Sequence, residues 1–195
     1  MKSFKPSLLL FVVLTPFWFT ACKPTTGNPK EPVVQTTYGE ISGSLADSVY
    51  AFLGIPYAKA ERFMPPQDPD AWEGRLACTG FSPVARQIVP WYPDSVQDEK
   101  KMFTVNVWTQ GLADGKKRPV MLWLHGGGFS VGSSNDPMTY GKAMAKKGDV
   151  VFVSVNHRLN ILGFLDLSAC GDRYAQSANV GMLDIVKAMQ WINHN

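Results

Sequence analysis

Residues 119–155 read PVMLWLHGGGFSVGSSNDPMTYGKAMAKKGDVVFVSV. Pro119–Leu124 is a near-continuous apolar run, the pattern of a strand covered on both faces. Three glycines follow His125. Pro137–Lys147 reads as a helix with proline near its first turn, ended by Gly148 and Asp149. Val150–Val155 is a second apolar strand rich in β-branched residues. Strand, helix, strand in that order is a βαβ unit with a right-handed crossover, which makes the chain α/β.

The flanking segments fill in around this unit. Ala178–Trp191 is the strongest helix, with an apolar stripe at Val180, Leu183, Val186 or Lys187, and Met189 or Gln190. Asp184 and Lys187 stand three apart on it, close enough to interact. Upstream, Phe103–Trp108 reads as a strand and Gly111–Arg118 as a polar turn. Val33–Tyr38, Glu40–Ser44 and Val49–Leu53 are short β-prone runs separated by turn residues, which predicts a small antiparallel sheet. Residues 54–87 are rich in proline and aromatics and keep no helical period, so they read as irregular surface structure.

Composition sets the class. Of 195 residues, 45% are hydrophobic and 18% charged, which excludes a disordered tail, a collagen-like rod or a disulfide scaffold. Basic residues number 19 against 16 acidic, too small an excess for a nucleic-acid surface. Residues 1–22, MKSFKPSLLLFVVLTPFWFTAC, have a basic start, an apolar run from Leu8 to Phe19, and a small residue before Cys22. That is the layout of an export signal over residues 1–21; the run is short for a membrane span and Pro16 interrupts it. Phe19-Thr20-Ala21-Cys22 resembles a bacterial lipobox, which implies an acylated Cys22 and a protein held on a cell-envelope membrane. The alternative is an ordinary cleaved signal and a periplasmic or secreted protein. Lys2 and Lys5 belong to the signal, leaving 17 basic residues against 16 acidic. Residues 22–32 read as the lipidated cysteine and a polar tether, and residues 33–195 as the domain. Cys78 and Cys170 read as two buried free thiols, although an exported domain could pair them. Without a Cys-x-x-Cys or a His/Cys cluster, no metal site is expected.

His125-Gly126-Gly127-Gly128-Phe129 carries the chemistry. Consecutive glycines let backbone N–H groups turn toward one oxygen with no Cβ in the way. Such donors stabilise the oxyanion of an acyl-transfer intermediate. The alternatives are a flexible turn and a phosphate loop. The second is the poorer, because Gly141-Lys142-Ala143 lacks the following hydroxyl.

Further segments share a pattern with this loop. They are Gly39-Glu40-Ile41-Ser42-Gly43, Phe52-Leu53-Gly54-Ile55-Pro56-Tyr57-Ala58, Arg62-Phe63 with Pro65 and Pro66, Trp72-Glu73-Gly74, and Val105-Asn106-Val107-Trp108. Downstream come Gly132-Ser133, Asn156-His157-Arg158-Leu159, Leu162-Gly163-Phe164-Leu165 and Asn179-Val180-Gly181-Met182-Leu183-Asp184. From about residue 33 onward the chain resembles the type B carboxylesterase family. The resemblance implies the N-terminal part of an α/β-hydrolase fold and hydrolysis of small carboxylic esters by a Ser–acid–His triad, without a cofactor. It implies that the Gly127 and Gly128 amides are oxyanion donors, with the third donor following the nucleophile. His125, Gly126 and Phe129 would support the loop, and Arg158 and Asp184 would form a structural salt bridge. The family often carries cysteines near Ala85 and Met102 that close a loop. Both are absent here, so the segment Arg86–Lys101 must be held otherwise. Trp91 and Tyr92 within it could line a substrate gorge or pack on the surface.

In the family the nucleophile sits in Gly-Glu-Ser-Ala-Gly, on a strand after the helix matching Ala178–Trp191. That strand is not found by Asn195, so the chain is expected to supply the oxyanion loop without the nucleophile, to be inactive alone and to fold poorly alone. Gly128-Phe129-Ser130-Val131-Gly132 formally satisfies G-x-S-x-G. Three glycines separate the preceding strand from Ser130, however, and 132–136 is a poor helix start. Ser130, Asp166 or Asp172, and His194 would complete that alternative triad. His125 is expected to shape the loop, His157 to lie near Arg158, and His194 to cap a helix end. The competing functions are a catalytically silent esterase-like binding module and a truncated gene product without function.

Overall fold

The computed structural model describes residues 31–88, 96–137 and 140–195. The expected signal, Cys22 and the expected tether up to residue 30 lie outside these residues, as do Trp91 and Tyr92. In chain order the strands are β1 (Val33–Thr36), β2 (Gly39–Ser42), β3 (Ser44–Ala46), β4 (Val49–Pro56), β5 (Arg75–Ala77), β6 (Thr104–Thr109), β7 (Val120–Leu124) and β8 (Val151–Val155). The α-helices are α1 (Lys142–Gly148), α2 (Asn160–Phe164) and α3 (Val180–His194).

Two sheets form, in the orders β1-β2-β5 and β3-β4-β6-β8-β7. The small sheet is mixed rather than antiparallel: β1 pairs antiparallel to β2, and β5 runs parallel to β2. The third run expected there, β4, belongs to the large sheet instead. Its apolar residues point both ways, Val49 to one face and Phe52 and Ile55 to the other, so only a sheet covered on both sides can bury them. The segment 54–87 is irregular apart from β5, yet it is not only surface. Tyr57, Ala58, Cys78, Val84 and Ala85 are core residues, because large apolar side chains are buried whether or not their backbone is regular. Cys78 is buried, and burial pushes its thiol up to about 11. Cys170 is exposed rather than buried, and both thiols are free.

The βαβ unit is present, with β7 parallel to β8 and Leu122 opposite Val153. The two-residue period of the strands sorts their neighbours. Trp108 and Phe152 face α1 and pack with Val49, Ala145 and Val150. Val105, Val153 and Val155 face α3 and pack with Ala188 and Trp191. Helix α1 starts at Lys142, five residues later than Pro137. The chain just before Pro137 is committed elsewhere: Ser134 N–H donates to Asn156 Oδ1 (2.8 Å), and Asn135 Nδ2 donates to the Ser82 carbonyl (2.8 Å). Strand β7 is the edge of the sheet, and Val120, Met121, Trp123 and Leu124 are all exposed, not covered on both faces. Among the described residues no strand pairs with its free side.

Helix α3 buries Val180, Gly181, Asp184, Ile185, Ala188 and Trp191, while Val186 and Met189 are exposed. Of the expected stripe, Val180 is buried, Leu183 and Lys187 are half-buried, and Val186, Met189 and Gln190 are exposed. Asp184 turns the helix: it is fully buried and forms the expected pair with Arg158, not one with Lys187. Lys187 instead pairs with Asp68. Arg158 Nη2 donates to Asp184 Oδ1 (2.6 Å) and Nε to Oδ2 (2.8 Å). The Arg158 backbone N–H adds a bond to Oδ2 (3.0 Å), and Nη1 reaches the Met64 carbonyl (2.8 Å). Burial pushes the Asp184 carboxyl up from its ordinary value, opposed by the guanidinium beside it.

Breaking this pair from one side strands a buried charge. Asp184→Asn should lower stability by about 3–5 kcal/mol. The double change Arg158→Met/Asp184→Leu should lose clearly less than either single change. Urea unfolding followed by circular dichroism measures both; equal losses for single and double variants would contradict the account.

Candidate functional site

The site begins where β7 ends. Leu124 is the last strand residue, and the chain then enters the His125–Phe129 loop instead of a helix. Gly127 has φ +116° and Gly128 φ +60°. At Gly127 a Cβ would collide with the Val131 carbonyl, so only glycine fits both the angle and the space. The Gly127 carbonyl accepts the N–H groups of Ser130 (3.1 Å) and Val131 (3.2 Å), which curls the loop. The N–H groups of Gly127 and Gly128 themselves have no partner among the described residues, and both glycines are exposed. Two adjacent free donors on a rigid curl can hold one oxygen or a small anion.

Polar side chains fasten this curl to the sheet. Asn106, fully buried on β6, accepts Gly54 N–H (2.8 Å) and donates to Ser134 Oγ (3.0 Å) and Ser154 Oγ (3.2 Å). Asn160 N–H donates to the Phe129 carbonyl (2.6 Å). From the neighbouring segment, Gln87 Oε1 accepts Gly132 N–H (2.7 Å) and Gln87 Nε2 donates to the Gly132 carbonyl (2.9 Å). Asn106 and Asn156 stood in the quoted motifs without a role, yet an asparagine at an inward strand position is itself a signal of a buried polar network. Gln87 had no local signal, because its partner is 45 residues away.

The histidines sit beneath the loop. The rings of His125 and His157 stack with centroids 4.8 Å apart and planes 8° apart. Phe129 meets His157 edge-on at 6.4 Å and Phe164 at 5.3 Å. Each Nδ1–H donates to a nearby carbonyl, His125 to Gly126 (2.8 Å) and His157 to Arg158 (2.9 Å). His125 Nε2 is buried without a partner among the described residues. Protonation would put charge where no water or acceptor meets it. Burial accordingly pulls both imidazoles down, His157 to about 4, with the neighbouring His125 adding to the effect.

The alternative triad is not assembled. Ser130 lies in a turn, with its Oγ donating to the Gly128 carbonyl (3.3 Å). Among the described residues no α-helix begins before Lys142. His194 ends α3. Asp166 accepts Ser168 N–H (2.9 Å) at the start of a short helical turn.

The carboxylesterase family model matches residues 30–195. A para-nitrobenzyl esterase of Bacillus subtilis (strain 168) is 34% identical over 171 residues, covering 84% of this chain and 34% of that protein. The crystal structure of the Geobacillus stearothermophilus carboxylesterase EST55 at pH 6.2 superposes with a TM-score of 0.78 at 45% identity, covering 84% of this chain and 34% of that one. An esterase from Clostridium hathewayi that can hydrolyse aliphatic aromatic polyesters superposes with a TM-score of 0.81 at 42% identity, covering 86% of this chain and 35% of that one. The chain thus spans about a third of the length of the relatives it matches.

The histidine stack makes stability depend on pH. An unfolded chain binds a proton on His157 near pH 6.5, but the folded chain binds it only near 4. Stability is therefore full above about pH 6.5 and falls as pH drops toward 4, by up to about 1.4 kcal/mol per pH unit. His157→Gln should flatten that slope in urea titrations run from pH 7 to 4. An unchanged slope would rule out His157 as its source.

Proposed function

Because the chain belongs to the carboxylesterase family, we propose that its glycine loop is the oxyanion-stabilising part of a serine-type carboxylic ester hydrolase. The observation that carries this reading is the pair of free, exposed N–H groups on Gly127 and Gly128, held by the curl at the end of β7. An ester carbonyl oxygen placed between them would accept two bonds. As a nucleophile attacks, charge moves onto that oxygen and the bonds strengthen. Loss of one such donor slows comparable enzymes by roughly 10²–10³-fold.

In this reading Ser130 is not the nucleophile, and the serine, acid and histidine come from sequence outside these 195 residues. His125 and His157 do not exchange protons with substrate; neutral and stacked, they shape the loop. The signal-like layout of residues 1–21 and the lipobox-like Phe19-Thr20-Ala21-Cys22 extend the proposal to an enzyme of the cell envelope, anchored through acyl chains on Cys22.

The purified chain should hydrolyse p-nitrophenyl esters no faster than buffer and should not be labelled by a fluorophosphonate. Labelling abolished by Ser130→Ala would overturn the assignment. Methylphosphonate, a tetrahedral anion, should shift the amide resonances of Gly127 and Gly128 together while leaving those of Gly115 and Gly171 in place. Absence of that shift would remove the oxyanion reading. Cys22→Ser should move the expressed protein from the detergent phase to the aqueous phase; retention in detergent would exclude the lipid anchor.

A further inference from the structure

The loop that holds Gly127 and Gly128 has few ties of its own. Among the described residues its backbone bonds are those of the Gly127 carbonyl, to Ser130 and Val131, and of the Phe129 carbonyl, to Asn160. Its far end is Gly132, whose φ is +111°. A Cβ on Gly132 would collide with the Gly126 carbonyl and with His125 Nδ1, so Gly132 lies directly on the first peptide of the loop. Whatever fixes Gly132 also fixes the direction in which the following amides point.

Gln87 grips Gly132 from both sides. Its Oε1 takes the Gly132 N–H at 2.7 Å and its Nε2 gives a proton to the Gly132 carbonyl at 2.9 Å. The same Nε2 reaches the Ala85 carbonyl at 3.1 Å, which orients the amide, and Gln87 N–H donates to Gln97 Oε1 at 2.9 Å. The backbone on either side is laced together: Val84 N–H donates to the Val96 carbonyl (2.9 Å) and Asp98 N–H to the Val84 carbonyl (3.1 Å). Glu99 adds a forked ion pair to Arg62, with Nη2–Oε1 at 2.7 Å. Ala85 and Met102 carry no thiol, and among the described residues of this stretch the ties are hydrogen bonds, an ion pair and packing.

We propose that Gln87 is the positioning residue for the oxyanion donors: its carboxamide transmits the set of the paired residues 84–87 and 96–98, through Gly132, to Gly127 and Gly128. This rests on the function proposed above, and it adds a residue that acts without touching substrate. Gln87 suits the task because a primary amide offers one donor and one acceptor in a plane, matching the N–H and C=O of a single peptide residue. A shorter or apolar side chain cannot meet both.

The test uses the full chain and backbone hydrogen exchange. Gln87→Met keeps length and removes both bonds. Gln87→Glu keeps the acceptor for Gly132 N–H and turns a negative oxygen toward two carbonyls. The decisive amides are Ser130 and Val131, which bond to Gly127 and not to Gln87. In Gln87→Met their exchange should rise about tenfold or more, while amides in β8 and α3 stay as protected as before. Gln87→Glu should fall between the two. Faster exchange confined to Gly132 would overturn the proposal, since Gln87 would then be only a local contact. Loss of protection throughout β8 and α3 would overturn it as well, since Gln87 would then be a support of the whole fold. A methylphosphonate titration separates this inference from its premise. Shifts at Gly127 and Gly128 that weaken at least tenfold in Gln87→Met support it. Equal binding by wild type and variant overturns it and leaves the oxyanion reading intact. If wild type binds no phosphonate, the premise fails and takes the positioning of oxyanion donors with it, while the exchange data still decide whether Gln87 holds the loop.

Discussion

One buried ion pair organises the second half of this chain. Arg158 leaves β8 and meets Asp184 on α3 through three hydrogen bonds, with the carboxylate wholly removed from water. Its remaining N–H groups close the loop at Met64, and its guanidinium lies 5.2 Å from the centre of the Phe103 ring. A charge pair in such a place is seldom a net gain over apolar packing, but it is unforgiving of alternatives. It sets which side of α3 faces the sheet, and small residues at Gly181 and Ala188 let the helix come close enough for the bonds to form.

The same logic of satisfied polar groups runs toward the glycine loop. A curl rich in positive φ cannot stabilise itself with side chains it lacks. Its surroundings do that work: Asn106, Ser134 and Asn156 below, Asn160 at Phe129, and Gln87 at Gly132. The His125–His157 stack fills the space beneath with rings kept neutral by burial. Free donors on the outside and saturated donors within are two sides of one arrangement, because an amide left without a partner is useful only when its neighbours cannot move to satisfy it.

Much of this was legible residue by residue. The βαβ unit followed from two apolar runs and the helix between them, and the glycine loop announced itself by composition. The face of α3 did not. VGMLDIVKAMQWINH is apolar almost all round, so its period leaves several orientations open. Asp184 settles the orientation by pairing with Arg158, 26 residues upstream, a partner that the family resemblance implies but that no helical period shows.

By itself the amino-acid order determined what depends on neighbours along the chain: the strands of the βαβ unit, the long helix α3, the run of glycines and the family resemblance carried by ordered motifs. Tertiary structure alone decided that β4 joins the large sheet, which side of α3 is buried, and that Gln87 holds Gly132. Each of those rests on hydrogen bonds, ion pairs or strand pairings between residues distant in sequence, and no local period or spacing encodes such a partner.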